Sequence, residues 1–156
     1  MNRLSRFRSH FARTCAIAGL VSLAIPGAAL ACSCAQPSAE QGYELATAVF
    51  AGTVTEVEEP FWVRVGLSEP GAHDVTFQVT KRWKGADAAT ATVRTRLTGE
   101  ACGYPFQLGG AYLVFVAPGP AEDLETGICS GTRDLAGAEE DVRVLDQLVA
   151  GEQAAP

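Results

Sequence analysis

The sequence predicts a small, mainly β domain: a closed Greek-key barrel with a helix at each end, exported from the cytoplasm and stapled by two disulfides. Three observations predict it. The chain opens with a basic and then apolar leader, four cysteines follow that leader, and the region between them holds short alternating segments rich in β-branched residues, punctuated by Gly, Pro and Asp.

Residues 1–31 read as a signal peptide. Arg3, Arg6, Arg8 and Arg13 form a positive n-region without an acidic residue, and Ala16 to Ile25 is a ten-residue apolar run. That run has the length of a secretory h-region and is too short to cross a bilayer as a helix. Pro26-Gly27 breaks it, and Ala29 and Ala31 are the small residues that a signal peptidase reads. Cleavage after Ala31 makes Cys32 the first residue of a secreted or periplasmic protein with no membrane span. The minor alternative is a lipoprotein anchored at Cys32, although Ala29 stands where a lipobox carries a larger aliphatic residue.

The remaining 125 residues suffice for one domain with its own core. Loss of four arginines leaves eight Lys and Arg against 18 Asp and Glu, a formal charge of −10. A surface of that sign repels phosphate backbones and anionic membranes, so nucleic acid is excluded as a partner. Cys15 leaves with the leader, and Cys32, Cys34, Cys102 and Cys129 remain. An even set in an exported domain reads as two disulfides with three possible connectivities. One intervening residue hinders a bond between Cys32 and Cys34, so each is expected to reach Cys102 or Cys129. Either crossing closes loops of roughly 70 to 95 residues, with about 4 kcal/mol of stabilisation per bridge in the chain-entropy account. A zinc site fits the spacing poorly.

Ser38 followed by Gln41 forms a capping-box pattern for a short helix running to Ala46. Ala48 to Val57 is β-branched, with Gly52 as a bulge or kink. Asp74 to Trp83 alternates, Val75, Phe77 and Val79 sharing one face, and Lys84-Gly85 turns the chain after it. Ala91 to Leu97 alternates with Val93, Thr95 and Leu97 inward, and Ala111 to Ala117 is an apolar run suited to a fully buried strand. Asp134 is expected to cap a helix over Leu135 to Leu148, on which Ala138, Val142, Leu145 and Leu148 recur at helical spacing. Gly137 weakens its first turn, and residues 151–156 read as a disordered tail. Four or five short strands between two helices fit a small OB-type barrel better than a sandwich.

Cys32-Ser33-Cys34-Ala35-Gln36-Pro37 at a new N-terminus, together with Glu100-Ala101-Cys102-Gly103-Tyr104 and Phe106, resembles the tissue inhibitors of metalloproteinases and the wider netrin-like (NTR) module. Ala48 to Gly52 resembles that family's first barrel strand, and Cys129-Ser130 its last cysteine region. The similarity covers nearly all of residues 32–150. It implies a five-stranded OB barrel with bridges Cys32–Cys102 and Cys34–Cys129. Larger members carry a third bridge in this domain and a second cysteine-rich domain; neither is found here, so the chain resembles the single-domain bacterial type.

The resemblance further implies an inhibitor whose first residue chelates the catalytic zinc of a metalloprotease. A free α-amine and the Cys32 carbonyl make a five-membered chelate, and a zinc protease keeps one coordination position open. Ser33 is expected to enter the specificity pocket. Cys34, Ala35, Glu100, Ala101 and Cys102 would complete a rigid wedge that loses little entropy on docking. The amine must be neutral to ligate, so chelation weakens as pH falls below its ordinary pKa of about 7.7–8.0. The alternative is a non-inhibitory extracellular or envelope interaction module built on the same barrel. Phe61, Trp62 and Val63, between two acidic and proline-bearing stretches at an expected hairpin tip, are a candidate contact loop.

An enzyme is not expected. The exported part has one histidine, His73, read as a solvated loop residue, and no His-Glu-x-x-His or Gly-rich phosphate loop, so no cofactor is implied. Glu56, Glu58 and Glu59 read as a solvated acidic face, and Trp83 as a core residue before a turn.

Overall fold

The computed structural model describes residues 34–58, 61, 65, 71–85, 87–96, 102–119 and 124–154. These fall within one compact unit, residues 31–156. The leader, Cys32 and Ser33, Trp62 and Val63, Leu97, and Glu100 and Ala101 lie outside the described residues.

Helix α1 (Ala39–Leu45) starts as the sequence predicts. The Ser38 hydroxyl accepts from the Gln41 N–H, and the Gln41 side chain accepts from the Ser38 N–H at 3.1 Å, which satisfies two otherwise orphaned helix donors. The strands are β1 (Ala48–Glu58), β2 (Ala72–Lys84), β3 (Thr90–Arg96), β4 (Ala111–Pro118), β5 (Leu124–Thr126) and β6 (Arg133–Asp134). Helix α2 (Glu139–Ala154) ends the described chain.

Strand β1 pairs antiparallel with β2 on one side and β4 on the other; β2 pairs with β3, β3 runs parallel to β5, and β5 returns antiparallel to β4. The circuit β1-β2-β3-β5-β4-β1 is a closed five-stranded mixed barrel of the OB type. Closure requires β1 to coil, and its ladder with β2 slips register at Val49/Phe50, Ala51/Gly52 and Val54/Glu56. Gly52, expected as a bulge, sits at the second of these.

Two apolar clusters hold the barrel. Its interior is filled by Phe50, Val54, Val75, Phe77, Val93, Phe106, Tyr112, Val114 and Val116. Edge-on aromatic contacts bind Phe77 to Phe106 (5.1 Å, 82°) and Phe106 to Tyr112 (4.9 Å, 88°). Val49, Ala51, Leu113 and Phe115 face outward and meet Tyr43 of α1 and Leu145 of α2 in the second cluster. Residues 112–116 are therefore buried without alternation, because barrel core lies on one face of β4 and helices on the other. Ala138 and Leu145 are fully buried, and Val142 and Leu148 pack beside them, as the helical spacing predicts.

Polar contacts seat α2. The Trp83 indole N–H donates to Asp146 Oδ1 at 2.7 Å, and Lys81 Nζ approaches the same carboxylate at 2.7 Å. The Tyr43 hydroxyl donates to Glu152 at 2.8 Å. Trp83 is the core residue expected of it.

The structure corrects three readings. Asp134 does not cap α2: its backbone is engaged opposite Tyr112 in β6, and Gly137 at φ 153° turns the chain, so the helix starts at Glu139 rather than Leu135. The helix also runs to Ala154, so residues 151–154, read as a disordered tail, are helical. His73 lies in β2 opposite Thr95 rather than in a loop, because the β2–β3 ladder extends to Ala72 and Arg96.

Candidate functional site

The turn at residues 127–131 gathers the segments that the sequence singles out. Cys34 is bonded to Cys129, with Cα atoms 5.5 Å apart across 95 residues of chain. Two residues on, Gln36 Nε2 donates to the Ile128 carbonyl at 2.6 Å. The Ile128 N–H in turn donates to the Cys102 carbonyl at 3.0 Å. One peptide residue thus grips the N-terminal segment with its carbonyl and the 102 segment with its amide.

The 102 segment is held tightly on the barrel. Cys102 takes φ 59°, a left-handed conformation that L side chains disfavour. Its neighbours leave no space: a Cβ on Gly103 would lie 1.7 Å from the Arg96 carbonyl oxygen, and one on Gly127 would lie 2.5 Å from the Cys102 oxygen. The Tyr104 N–H donates to the Thr95 hydroxyl at 2.8 Å, docking the segment on β3. Cys102 is itself disulfide-bonded; the bridge expected for it, to Cys32, involves a residue outside the described set.

Below the turn, two threonine hydroxyls tie it to β4 and a serine hydroxyl braces it from within. Thr126 Oγ1 donates to the Phe115 carbonyl at 2.8 Å, and Thr132 Oγ1 accepts from the Phe115 N–H at 3.0 Å. The two threonine oxygens are 2.7 Å apart, and Ser130 Oγ donates to the Gly127 carbonyl at 2.8 Å. Each buried hydroxyl is satisfied, so the turn is an extension of the core. Arg133 completes the anchor: it donates to the Gly131 carbonyl at 2.9 Å and the Pro37 carbonyl at 3.3 Å, and pairs with Asp141 in the first turn of α2 at 2.9 Å.

An open cavity of about 200 Å³ lies beside this ridge, lined among others by Cys102, Cys129, Ser130, and the ion pair Arg96–Glu125. Arg96 Nε and Glu125 Oε1 are 2.9 Å apart. No family model and no curated protein matches the chain. Among the described residues, no group of three His, Cys, Asp or Glu side chains is placed to hold a metal.

Of the expected wedge, Cys34, Ala35 and Cys102 are described. Cys34 and Cys102 are half-buried and Ala35 is exposed. Cys32, Ser33, Glu100 and Ala101 lie outside the described residues, as do Trp62 and Val63 of the candidate contact loop. Phe61 is 72% exposed, and its carbonyl accepts from the Val65 N–H at 3.0 Å.

Sequence reasoning missed Gln36, the Ile128 peptide and the hydroxyl cluster. The run Thr126-Gly127-Ile128-Cys129-Ser130-Gly131-Thr132 carries a turn signal in its glycines and hydroxyls, but nothing in it names distant partners. A native disulfide, and no helix among the described residues long and apolar enough to cross a membrane, are compatible with an extracellular or periplasmic protein.

Proposed function

We propose that the protein, cleaved after Ala31, is a secreted or periplasmic TIMP-like inhibitor that blocks zinc metalloproteases with the free amine and the carbonyl of Cys32. The observation that carries this reading is the double anchorage at Ile128, which draws the segment after Cys34 and the segment at Cys102 onto one rigid turn. A plug that enters an active-site cleft must be stiff, because every torsion frozen on docking subtracts from affinity. The anchorage begins at Cys34, two residues after the one that would ligate the metal.

In this reading the Cys32 amine and carbonyl occupy the position on the target's zinc that otherwise holds water. Ser33 faces the specificity pocket, and Ala35, Glu100 and Ala101 flank the cleft. The barrel itself performs no reaction; the metal is the target's. A bridge between Cys32 and Cys102 would keep the thiol out of the coordination sphere, leaving the amine and carbonyl as the donors.

The test is inhibition of a panel of zinc metalloproteases by protein whose mass and N-terminal sequence show a free Cys32. One residue added before Cys32, or acetylation of its amine, is expected to abolish inhibition. Affinity should also fall about tenfold per pH unit below an amine pKa of about 7.7–8.0, after correction for the protease's own titration. Equal inhibition by the extended form refutes the chelate. Absence of inhibition by the free form leaves the barrel as an interaction module for an extracellular or envelope partner.

A further inference from the structure

We infer that Gln36 is a positioning residue: through the Ile128 peptide it locks the N-terminal segment and the Cys102 segment into one rigid body. The inference rests on the inhibitory reading only for its consequence, since the lock itself is a property of the chain. The two disulfides fix sulfurs, not backbone direction; a bridge leaves several torsions between the two backbones that it joins. Between Cys34 and Pro37 the chain direction is set by two further contacts, Gln36 Nε2 on the Ile128 carbonyl and Arg133 on the Pro37 carbonyl. Only the first reaches a residue that also holds Cys102, through the 3.0 Å bond from the Ile128 N–H to the Cys102 carbonyl.

Hydrogen bonding at the two ends of a residue is mutually supportive, because fixing one peptide plane reduces the freedom of the next. Cys102 gives this coupling something to oppose. Its φ of 59° persists only while its surroundings over-determine it, and the Ile128 amide is one of the groups that do so. Releasing Gln36 therefore loosens residues 34–36 and, through Ile128, residues 102–103, although these segments are far apart in sequence.

Two variants test this, Gln36→Ala and Gln36→Glu, each in the full exported domain with both bridges formed. Backbone amide order parameters and exchange protection factors at Ala35, Cys102, Gly103 and Ile128 are the readout. Gln36→Ala should lower protection of the Ile128 amide about fivefold and lower order at all four positions, the size expected for one exposed hydrogen bond. Gln36→Glu separates positioning from packing. The ionised carboxylate of that variant has no proton to offer the Ile128 carbonyl, whereas the protonated acid donates as Gln36 does. Order in this variant should therefore recover as pH falls below about 4.3, with no recovery in Gln36→Ala.

Unchanged protection at Ile128 and Cys102 in Gln36→Ala overturns the inference, and so does a Gln36→Glu variant that behaves like Gln36→Ala at every pH. If the wild-type domain inhibits a zinc protease, Gln36→Ala should also dissociate from it about fivefold faster at neutral pH. Equal dissociation rates overturn the link between the lock and the inhibitory plug. A wild-type domain that inhibits nothing refutes the proposed function while the order parameters still decide the lock.

Discussion

Removing the Cys34–Cys129 bridge by the double substitution Cys34→Ser, Cys129→Ser tests how much of this domain's stability lies in its unfolded state. The bridge spans 95 residues. Loop closure of that length gives about 4.7 kcal/mol at 25 °C in the chain-entropy account. The bridge at Cys102 already restricts the unfolded chain, so the expected loss is about 3–4 kcal/mol, a fall in Tm of about 10–20 °C. No cysteine belongs to either apolar cluster, so the variant should still fold. Urea unfolding followed by tryptophan fluorescence measures both stability and its slope with denaturant. If the effect lies in the unfolded chain, the slope must rise, because an unlinked chain expands and exposes more surface. A loss below about 1 kcal/mol with an unchanged slope refutes the entropic account. The bridge would then serve the ridge alone.

Other expectations follow from single contacts. Gly103→Ala places a methyl carbon 1.7 Å from the Arg96 carbonyl oxygen and should cost more than about 3 kcal/mol or prevent folding, whereas Gly151→Ala, with open space around it in α2, should gain about 0.5–1 kcal/mol in the same unfolding assay. The Asp146 carboxyl is held below its ordinary range by the hydrogen bond from Lys81 first and that from Trp83 second. Its contribution is therefore present above a pH of about 3.9 and is lost as pH falls through the lower folded value; it is small because the pair is half exposed, and Asp146→Asn should lack it in acid unfolding curves. Burial, assisted by the charge of Asp134, pushes the Tyr104 hydroxyl up to about 12. The neutral phenol is favoured by folding, so that stability is complete below a pH of about 10 and is lost as pH rises through about 12; phenolate absorbance should show Tyr104 ionising late, and Tyr104→Phe should remove its share of the dependence, leaving that of Tyr43, whose hydroxyl is also raised by burial and by Glu152.

Local signals in the sequence determine much of this protein by themselves. Ser38 and Gln41 specify the start of α1 because a capping box is satisfied within four residues. The alternation of Val75 and Phe77, the unbroken run from Tyr112 to Val116, and the helical spacing of Ala138, Val142 and Leu145 each place side chains on their buried faces, because periodicity is a property of neighbouring residues. The four cysteines after residue 31 likewise announce bridges before any fold is known.

What only the tertiary structure decided are the meetings of distant backbone groups. Strand β5 is three residues long, too short for a period to register, yet its parallel pairing with β3 closes the barrel. Asp134 reads as a helix cap in isolation and is instead drawn into β6 by the unpaired edge of β4. Cysteine identity left the connectivity open; the fold joins Cys34 to Cys129. Gln36, Ile128 and Cys102 come together for the same reason: a backbone amide or carbonyl looks alike at every residue, so sequence carries no label for the partner it will find. Only the closed path of the chain supplies that partner.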